Sequence, residues 1–367
     1  MKFTLAATGD LIIAGRLHDA SRGIYRHLES ADCAIGNLEV VLTSSAAAAD
    51  KLIALKAPPP VANQIAAAGF RLLSLANNHA MDFGAPGLAD SISAVREAGM
   101  VPVGAGPDLA ASLHATIVQH DAFKIAFLGV ATTLPNGSAA GPSRPGVAPV
   151  RVISRYVIDS VTFDEAPGMS PFVETQAVSD DVAALCERIT EAASCVDRVV
   201  VNIHWGAPLG WIAGHQGEIA QYQPALAHAM IDAGASAVIG HHPHLIQAAE
   251  YYRGAPILYS LGNFIMHHII PDSIPGITAH PSYDWSTLKT RWNSLGCIAR
   301  LVWSVGSETP ECLLLVTKLD DLGEPTPAPE ADAIAVYERI VAQSRLRNCE
   351  ISVEKYSDLW ALRLTSL

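Results

Sequence analysis

The chain has 367 residues, half of them apolar and 16% charged, which fits a folded globular protein and not a disordered one. Lysine and arginine total 24 against 36 aspartate and glutamate, a formal charge of −12, and no basic patch stands out, which argues against a nucleic-acid partner. No apolar run reaches the ~18 residues of a spanning helix, the first ten residues are too short in apolar core for a secretory signal, and the six cysteines show no CxxC; the expectation is a cytoplasmic protein with buried thiols and no membrane partner.

In chain order, Phe3–Thr8 reads as a strand ending at Gly9-Asp10, and Ala31–Leu38 as a second, followed by Glu39. An Ala-rich helix over Val61–Ala68 precedes a third strand, Phe70–Ala76, which runs into Asn77-Asn78-His79. A helix from Pro86 to near Gly99 and a strand at Val101–Gly104 follow. Two apolar runs between Ala115 and Ala131 flank His120-Asp121-Ala122-Phe123 and predict a hairpin. Pro135 to about Gly168 is rich in Pro, Gly and Ser and predicts loops, with lid or substrate segments among them. A helix over Ser179–Ser194, the strand Arg198–Ile203, a helix over Ile219–Ala233 and the strand Ala235–Ile239 resume the alternation. Pro256–Leu261 is a further strand, Cys297–Val305 and Glu311–Lys318 an antiparallel pair, and Ala331–Arg345 a last helix after a Pro-rich link. Strands alternating with helices imply an α/β layered structure. The expected division is a catalytic domain over 1–320 and a helical C-terminal tail over 321–367 packed on it.

Chemistry-bearing residues recur after these strands: Asp10, Glu39, Asn78, His204, and then His242 and His244 in Gly240-His241-His242-Pro243-His244. In open α/β sheets, ligand sites collect in the loops beyond the strand ends, so residues distant in sequence converge there. Carboxylate, amide oxygen and neutral imidazole suit divalent ions such as Mn²⁺, Fe²⁺, Zn²⁺, Mg²⁺ or Ca²⁺. Six donors exceed the needs of one tetrahedral ion and suit two ions sharing a carboxylate, a centre that polarises an acyl or phosphoryl oxygen. On that reading Glu39 bridges, Asp10 and His244 complete one ion, and Asn78, His204 and His242 the other. His242 and His244 alternate to the same side of an extended segment, with His241 pointing away. His79 is placed as general acid or base, with Asp82 three residues on to orient its ring.

The set Gly9-Asp10, Gly36-Asn37-Leu38-Glu39, Asn77-Asn78-His79 with Asp82, His204-Trp205-Gly206, the histidine triple and Gly262-Asn263-Phe264 resembles the CapA (PGA_cap) family, named for poly-γ-glutamate capsule synthesis. The resemblance covers about residues 1–270. It implies a calcineurin-like metallophosphoesterase fold, a four-layer α/β/β/α sandwich. Two departures from metallophosphoesterases stand out: Leu11 and Ile12 follow Asp10 where an Asp-x-His histidine belongs, and Glu39 replaces an aspartate. Both argue against ordinary phosphatase activity. Similar soluble family members act on peptides, among them an epimerase of a lasso peptide.

Further candidates are Trp205, Asn263 and Arg291 for binding a small-molecule or peptide substrate, Arg291 within an aromatic and cationic stretch from Tyr283 to Trp292. His267 and His268, in an apolar-flanked run, are candidate bases beside His79 and Asp82. The leading reading is a two-metal hydrolase acting on an amide or peptide-like bond. Epimerisation at Cα on the same metals is the first alternative and needs two bases on opposite faces. A degenerate, non-catalytic binding protein is the second.

Overall fold

The structure is a computed structural model that describes residues 1–18, 22–51, 53–166, 172–206, 219–267, 290–344 and 347–367. Two large sheets carry it. One has ten strands, in the order Cys349–Tyr356, Leu359–Ser366, Glu311–Leu319, Leu295–Ser304, Lys2–Ile12, Cys33–Leu38, Leu72–Ser74 and Val101–Val103, with Asn263–Met266 beside the first strand of the chain and Pro325–Pro327 beside Glu311–Leu319. The other has six, in the order Ala249–Tyr252, Ala255–Leu258, Ala237–His241, Arg198–His204, Phe123–Ala131 and Thr116–His120. The central strands of both are parallel and buried, and they read as apolar, β-branched runs because both faces are covered.

Alternation along the strands assigns the layers. Phe3, Leu5 and Ala7 pack with Ile35, Leu72, Phe127, Val200 and Ile239 in one core between the sheets. The outer face of the large sheet, with Ala6, Leu73 and Ile298, packs on Ile24 and Leu28 of the Arg22–Glu29 helix, Ile65 of Val61–Ala67 and Val95 of Gly84–Glu97. The outer face of the six-stranded sheet, with Ala126, Val201 and Val238, packs on Leu185 and Ile189 of Ser179–Ala193 and Leu226 and Met230 of Tyr222–Asp232. Helix, sheet, sheet, helix is the expected α/β/β/α sandwich. Among the described residues no helix is long and apolar enough to cross a membrane.

Two regions differ from the sequence reading. The segment after residue 320 is not a helical tail alone. Its helix, Glu330–Ser344, lays Ala333, Val336 and Ile340 on the inter-sheet core, and the hairpin Cys349–Tyr356/Leu359–Ser366 extends the large sheet by two strands. The apolar alternation of that hairpin is one-sided and short. The stretch around 135–168 also contains a strand, Val152–Val157, paired with Phe172–Ala177. Val152 and Ala177 pack on the helices outside the six-stranded sheet, which places this hairpin on the outer layer and not as a lid.

The first strand is bent where it meets the site. Its register with Cys33–Leu38 shifts between Ala7 and Asp10, and the Asp10 N–H donates to the Gly262 carbonyl at 3.0 Å. A Cβ on Gly9 would lie 1.9 Å from that oxygen, so the crossing of the two chains requires glycine. Gly9→Ala is expected to cost about 3 kcal/mol of stability, measured by urea denaturation; a loss below about 1 kcal/mol would contradict this close approach.

Candidate metal centre

Strand ends from both sheets converge at one edge of the inter-sheet seam. Asp10, Glu39 and the 77–82 turn come from the large sheet; His204 and the loop after Ala237–His241 come from the other. The ligand atoms of Asp10, Glu39 and His204 lie within 4.8 Å of one another, and so do those of Glu39, His242 and His244. Glu39 belongs to both groups, as a bridging carboxylate would.

The carboxylates of Asp10 and Glu39 are fully buried. Asp10 accepts hydrogen bonds from Asn37 Nδ2 (2.8 Å) and the His242 N–H (3.2 Å). Neither oxygen of Glu39 has a hydrogen-bond partner among the described residues. Its Oε1 instead faces His204 Nε2 at 3.5 Å and His244 Nε2 at 3.7 Å. Burial, and then the negative charges of Asp10 and Asp82, push the Glu39 carboxyl well above the ordinary carboxylate range, with Lys51 opposing. Two unit charges within 4.8 Å repel by about 3.5 kcal/mol at an effective dielectric of ~20. A divalent cation removes that cost.

The imidazoles match the same requirement. Burial holds His204 well below its ordinary pKa and His242 down to about 3, so both are neutral and keep an electron pair for a metal. His204 Nε2 stands 2.7 Å from Asn78 Oδ1, two donor atoms converging on one point. The His204 and His242 rings lie 4.7 Å apart between centroids. All six expected ligands thus belong to one network, and an orphaned buried carboxylate among oxygen and nitrogen donors fits divalent metal. His204 groups with Asp10 and His244 with His242, while His244 Nδ1 also lies 3.4 Å from Asp10 and His204 lies beside both Asn78 and His242, so the expected pairs are in reach of one another as well.

The route by which His242 and His244 meet the site differs from the strand alternation expected. The strand ends at His241, and both later histidines have positive φ, 101° and 55°, flanking Pro243. Such backbone is strained for a residue with a Cβ and concentrates at functional sites. His241 also does not point away. It ends its strand on the inter-sheet face with Ala237 and Ile239, is fully buried, and sets Nδ1 3.7 Å from Asp10.

His79 is oriented as expected. Its Nδ1 lies 2.7 Å from Asp82, and its N–H donates to Asn77 Oδ1 at 3.0 Å. Asp82 is fully buried and is held by Lys51 and by the Leu55 N–H at 2.7 Å. Asp82 therefore positions His79 and is not open to substrate. Burial lowers the His79 pKa against the opposing pull of Asp82, leaving a neutral ring.

Other expected site residues have different partners. Trp205 is fully buried, stacks on Tyr259 at 5.5 Å and donates to the Tyr259 carbonyl, so it packs the sheet and walls no pocket. Asn263 is fully buried, and its amide bonds to His244 and Asn293, not to substrate. Arg291 forks onto Asp332 and the Ala331 carbonyl at the start of the C-terminal helix. His267 Nδ1 accepts from the Ala14 N–H, which puts its proton on Nε2, 3.5 Å from Glu324. His268 and Tyr283–Lys289 lie outside the described residues. Sequence reasoning gave no part to Asn37, which joins Asp10 to His204; to Asn77, which ties the third turn to the Leu38 carbonyl; or to Lys51, which donates to the Asn78 carbonyl at 2.8 Å. Only Asn37 and Asn77 carried a signal, as neighbours of predicted ligands.

The family profile described as "Bacterial capsule synthesis protein PGA_cap" matches residues 4–268. This chain belongs to the PGA_cap family. That family is part of the metallophosphoesterase-like superfamily, and the matched span contains all six expected ligands. The "Capsule biosynthesis protein CapA" of Bacillus anthracis is 30% identical over 277 residues, covering 72% of this chain and 60% of that protein. The "Probable polyglutamine synthesis accessory protein" of Mycobacterium tuberculosis is 32% identical over 257 residues, covering 69% of this chain and 58% of its own length. This chain therefore spans about 60% of the length of these relatives. A crystal structure of a hypothetical protein from Thermus thermophilus overlaps 88% of this chain and 96% of its own, with a TM-score of 0.40 and 16% identity.

Replacing Glu39 by Gln separates the two roles of its charge. In chelator-treated protein at neutral pH, Glu39→Gln is expected to raise stability by about 1–3 kcal/mol, since it removes a carboxyl that burial forces to take up a proton on folding. The same variant is expected to lose divalent-ion uptake. Thermal melts with and without chelator, beside metal analysis, check both signs; lower stability of the chelated variant would contradict the charge argument.

Proposed function

We propose that this chain is a metal-dependent hydrolase acting on an amide or peptide-like bond through a dinuclear centre. The observation that carries this reading is Glu39, a buried carboxylate with both oxygens unpartnered among the described residues and shared by two donor groups. Asp10, Glu39, Asn78, His204, His242 and His244 would hold the ions. Two divalent ions there would supply Lewis-acid polarisation of an acyl oxygen and activation of water.

The remaining steps belong to side chains. Asp82, fixed by Lys51 and the Leu55 N–H, accepts from His79 Nδ1–H and so leaves the electron pair on His79 Nε2. The ring rests neutral, which suits it to take a proton from the attacking water and return it to the leaving amine. Lys51 and Asn77 hold the carbonyl and the N–H of the single peptide that joins Asn78 to His79, so base and ligand turn as one unit. An amide ranks ahead of a phosphoester because Leu11 and Ile12 stand where phosphoesterases of this superfamily keep a histidine. Relatives named for capsule and polyglutamine synthesis support an amide-linked substrate. Epimerisation requires a second base opposite His79; of the expected ones, Asp82 is engaged with His79 itself, His267 faces Glu324, and His268 lies outside the described residues.

The test is turnover of peptide and isopeptide substrates by Mn²⁺-loaded protein in ¹⁸O-labelled or deuterated water. Hydrolysis predicts solvent oxygen in a newly formed carboxylate; solvent deuterium at Cα with unchanged connectivity would replace this reading by epimerisation. His79→Gln is expected to lower kcat by ~10²–10⁴ while ion uptake stays at the wild-type level. Equal kcat in the two proteins would remove His79 from the reaction.

A further inference from the structure

Asn293 lies 25 residues beyond the end of the family match, in a short 3₁₀ turn at Arg291–Ser294. Its side chain is 3% exposed and reaches back to the histidine loop. Asn293 Nδ2 donates to the His244 carbonyl at 3.0 Å, and Asn263 Nδ2 donates to the same oxygen at 3.2 Å. Asn263 Nδ2 also donates to the Asn293 carbonyl at 2.9 Å, and Asn263 Oδ1 lies 2.9 Å from His244 Nδ1. The two amides close a buried clamp around one residue.

We propose that Asn293 is a positioning residue for His244, setting the direction from which that imidazole meets the metal centre. The inference rests on reading His244 as a ligand. His244 has φ 55°, a conformation its Cβ disfavours, and its carbonyl accepts two amide donors in that conformation. Asn263 Oδ1 accepts from Nδ1–H, which fixes the tautomer and leaves the electron pair on Nε2, the nitrogen 3.7 Å from Glu39 Oε1. Asn293 completes this by holding both the carbonyl of His244 and, through its own carbonyl, the amide plane of Asn263. Its Oδ1 is engaged separately, accepting from Thr290 Oγ1 (2.5 Å) and the Thr290 N–H (3.3 Å) in a capping box. The donor and acceptor halves of this amide therefore have different tasks and can be tested apart. The same loop is anchored from the C-terminal region at two further points, Arg339 Nε to the Ile246 carbonyl and the Ala249 N–H to Ser344 Oγ.

Asn293→Asp keeps the capping acceptor and deletes the donor to His244. Thr290→Val deletes the hydroxyl half of the cap and keeps the donor. Both variants and His244→Ala are stripped of metal and titrated with Mn²⁺ by calorimetry and with Co²⁺ by visible absorption. Asn293→Asp is expected to weaken uptake of the His244-dependent ion by about 10–100-fold and to change the Co²⁺ ligand-field bands. Thr290→Val is expected to keep wild-type affinity and spectrum even where its melting temperature falls. Wild-type affinity and bands in Asn293→Asp, with His244→Ala impaired, overturn this inference and leave the metal reading intact. Wild-type protein that takes up no ion, or a His244→Ala variant that binds normally, overturns the metal reading and this inference with it.

Discussion

The structure turns on two carboxylates buried side by side with too little positive charge to balance them. Asp10 and Glu39 sit at the edge of the seam between the sheets, fully removed from solvent. The described cation acting on Glu39 is Lys51, which is bound to Asp82. A folded chain retains such an arrangement only where something offsets it, because an uncompensated buried charge ranks among the largest single penalties in stability. Burial drives the His204 and His242 imidazoles neutral, so these two rings do not supply the missing charge. A divalent cation would. The bent first strand, the glycine at its crossing and the two left-handed histidines are the local distortions that bring the donors to one point.

The sequence revealed the donors because a parallel α/β architecture makes strand ends converge, and strands show themselves as short apolar runs. Asp10, Glu39, Asn78 and His204 each follow such a run, and each stands in the network. In the histidine triple, His242 and His244 reach the donor cluster by a geometry other than the one expected. Alternation in an extended segment predicted that His242 and His244 share a side; the chain instead leaves the sheet at His241 and reaches the site through positive φ at both. Backbone sign is invisible in a residue string unless glycine or asparagine marks it. The same limit hid His241, whose strand position turns it inward. Trp205 and Asn263 were candidate substrate contacts; adjacent strand residues take opposite faces, so Trp205, next to His204, turns into the outer core, and Asn263 is taken up by His244, 19 residues before it in the chain. Lys51 had no local pattern, since its partner Asp82 lies 31 residues away.

The layers were legible through helix–strand alternation, whereas the C-terminal hairpin was not. Cys349–Tyr356 is half exposed and Leu359–Ser366 buries one face, so neither presents the dense apolar run of a central strand. Their place in the sheet is set by pairing with Glu311–Leu319, a long-range choice. The helix before them lies over the same inter-sheet core, and Arg347 joins Glu250 beneath the Tyr259–Trp205 stack. The region outside the family match thus shapes the back of the metal centre as well as lengthening the sheet.

The seam between the sheets is unlike at its two ends. At one, Phe3 meets Phe123 at 6.0 Å and pairs with Trp303, an oily closure needing no partner. At the other, donors from one sheet face donors from the other. An ion held there would join the two sheets as a rivet joins two plates, with Asp10, Glu39 and Asn78 on one side and His204, His242 and His244 on the other. The sandwich is thus closed by apolar contact at one end of its seam and by facing donor groups at the other, and its cohesion at the second end depends on what balances the Asp10 and Glu39 carboxylates.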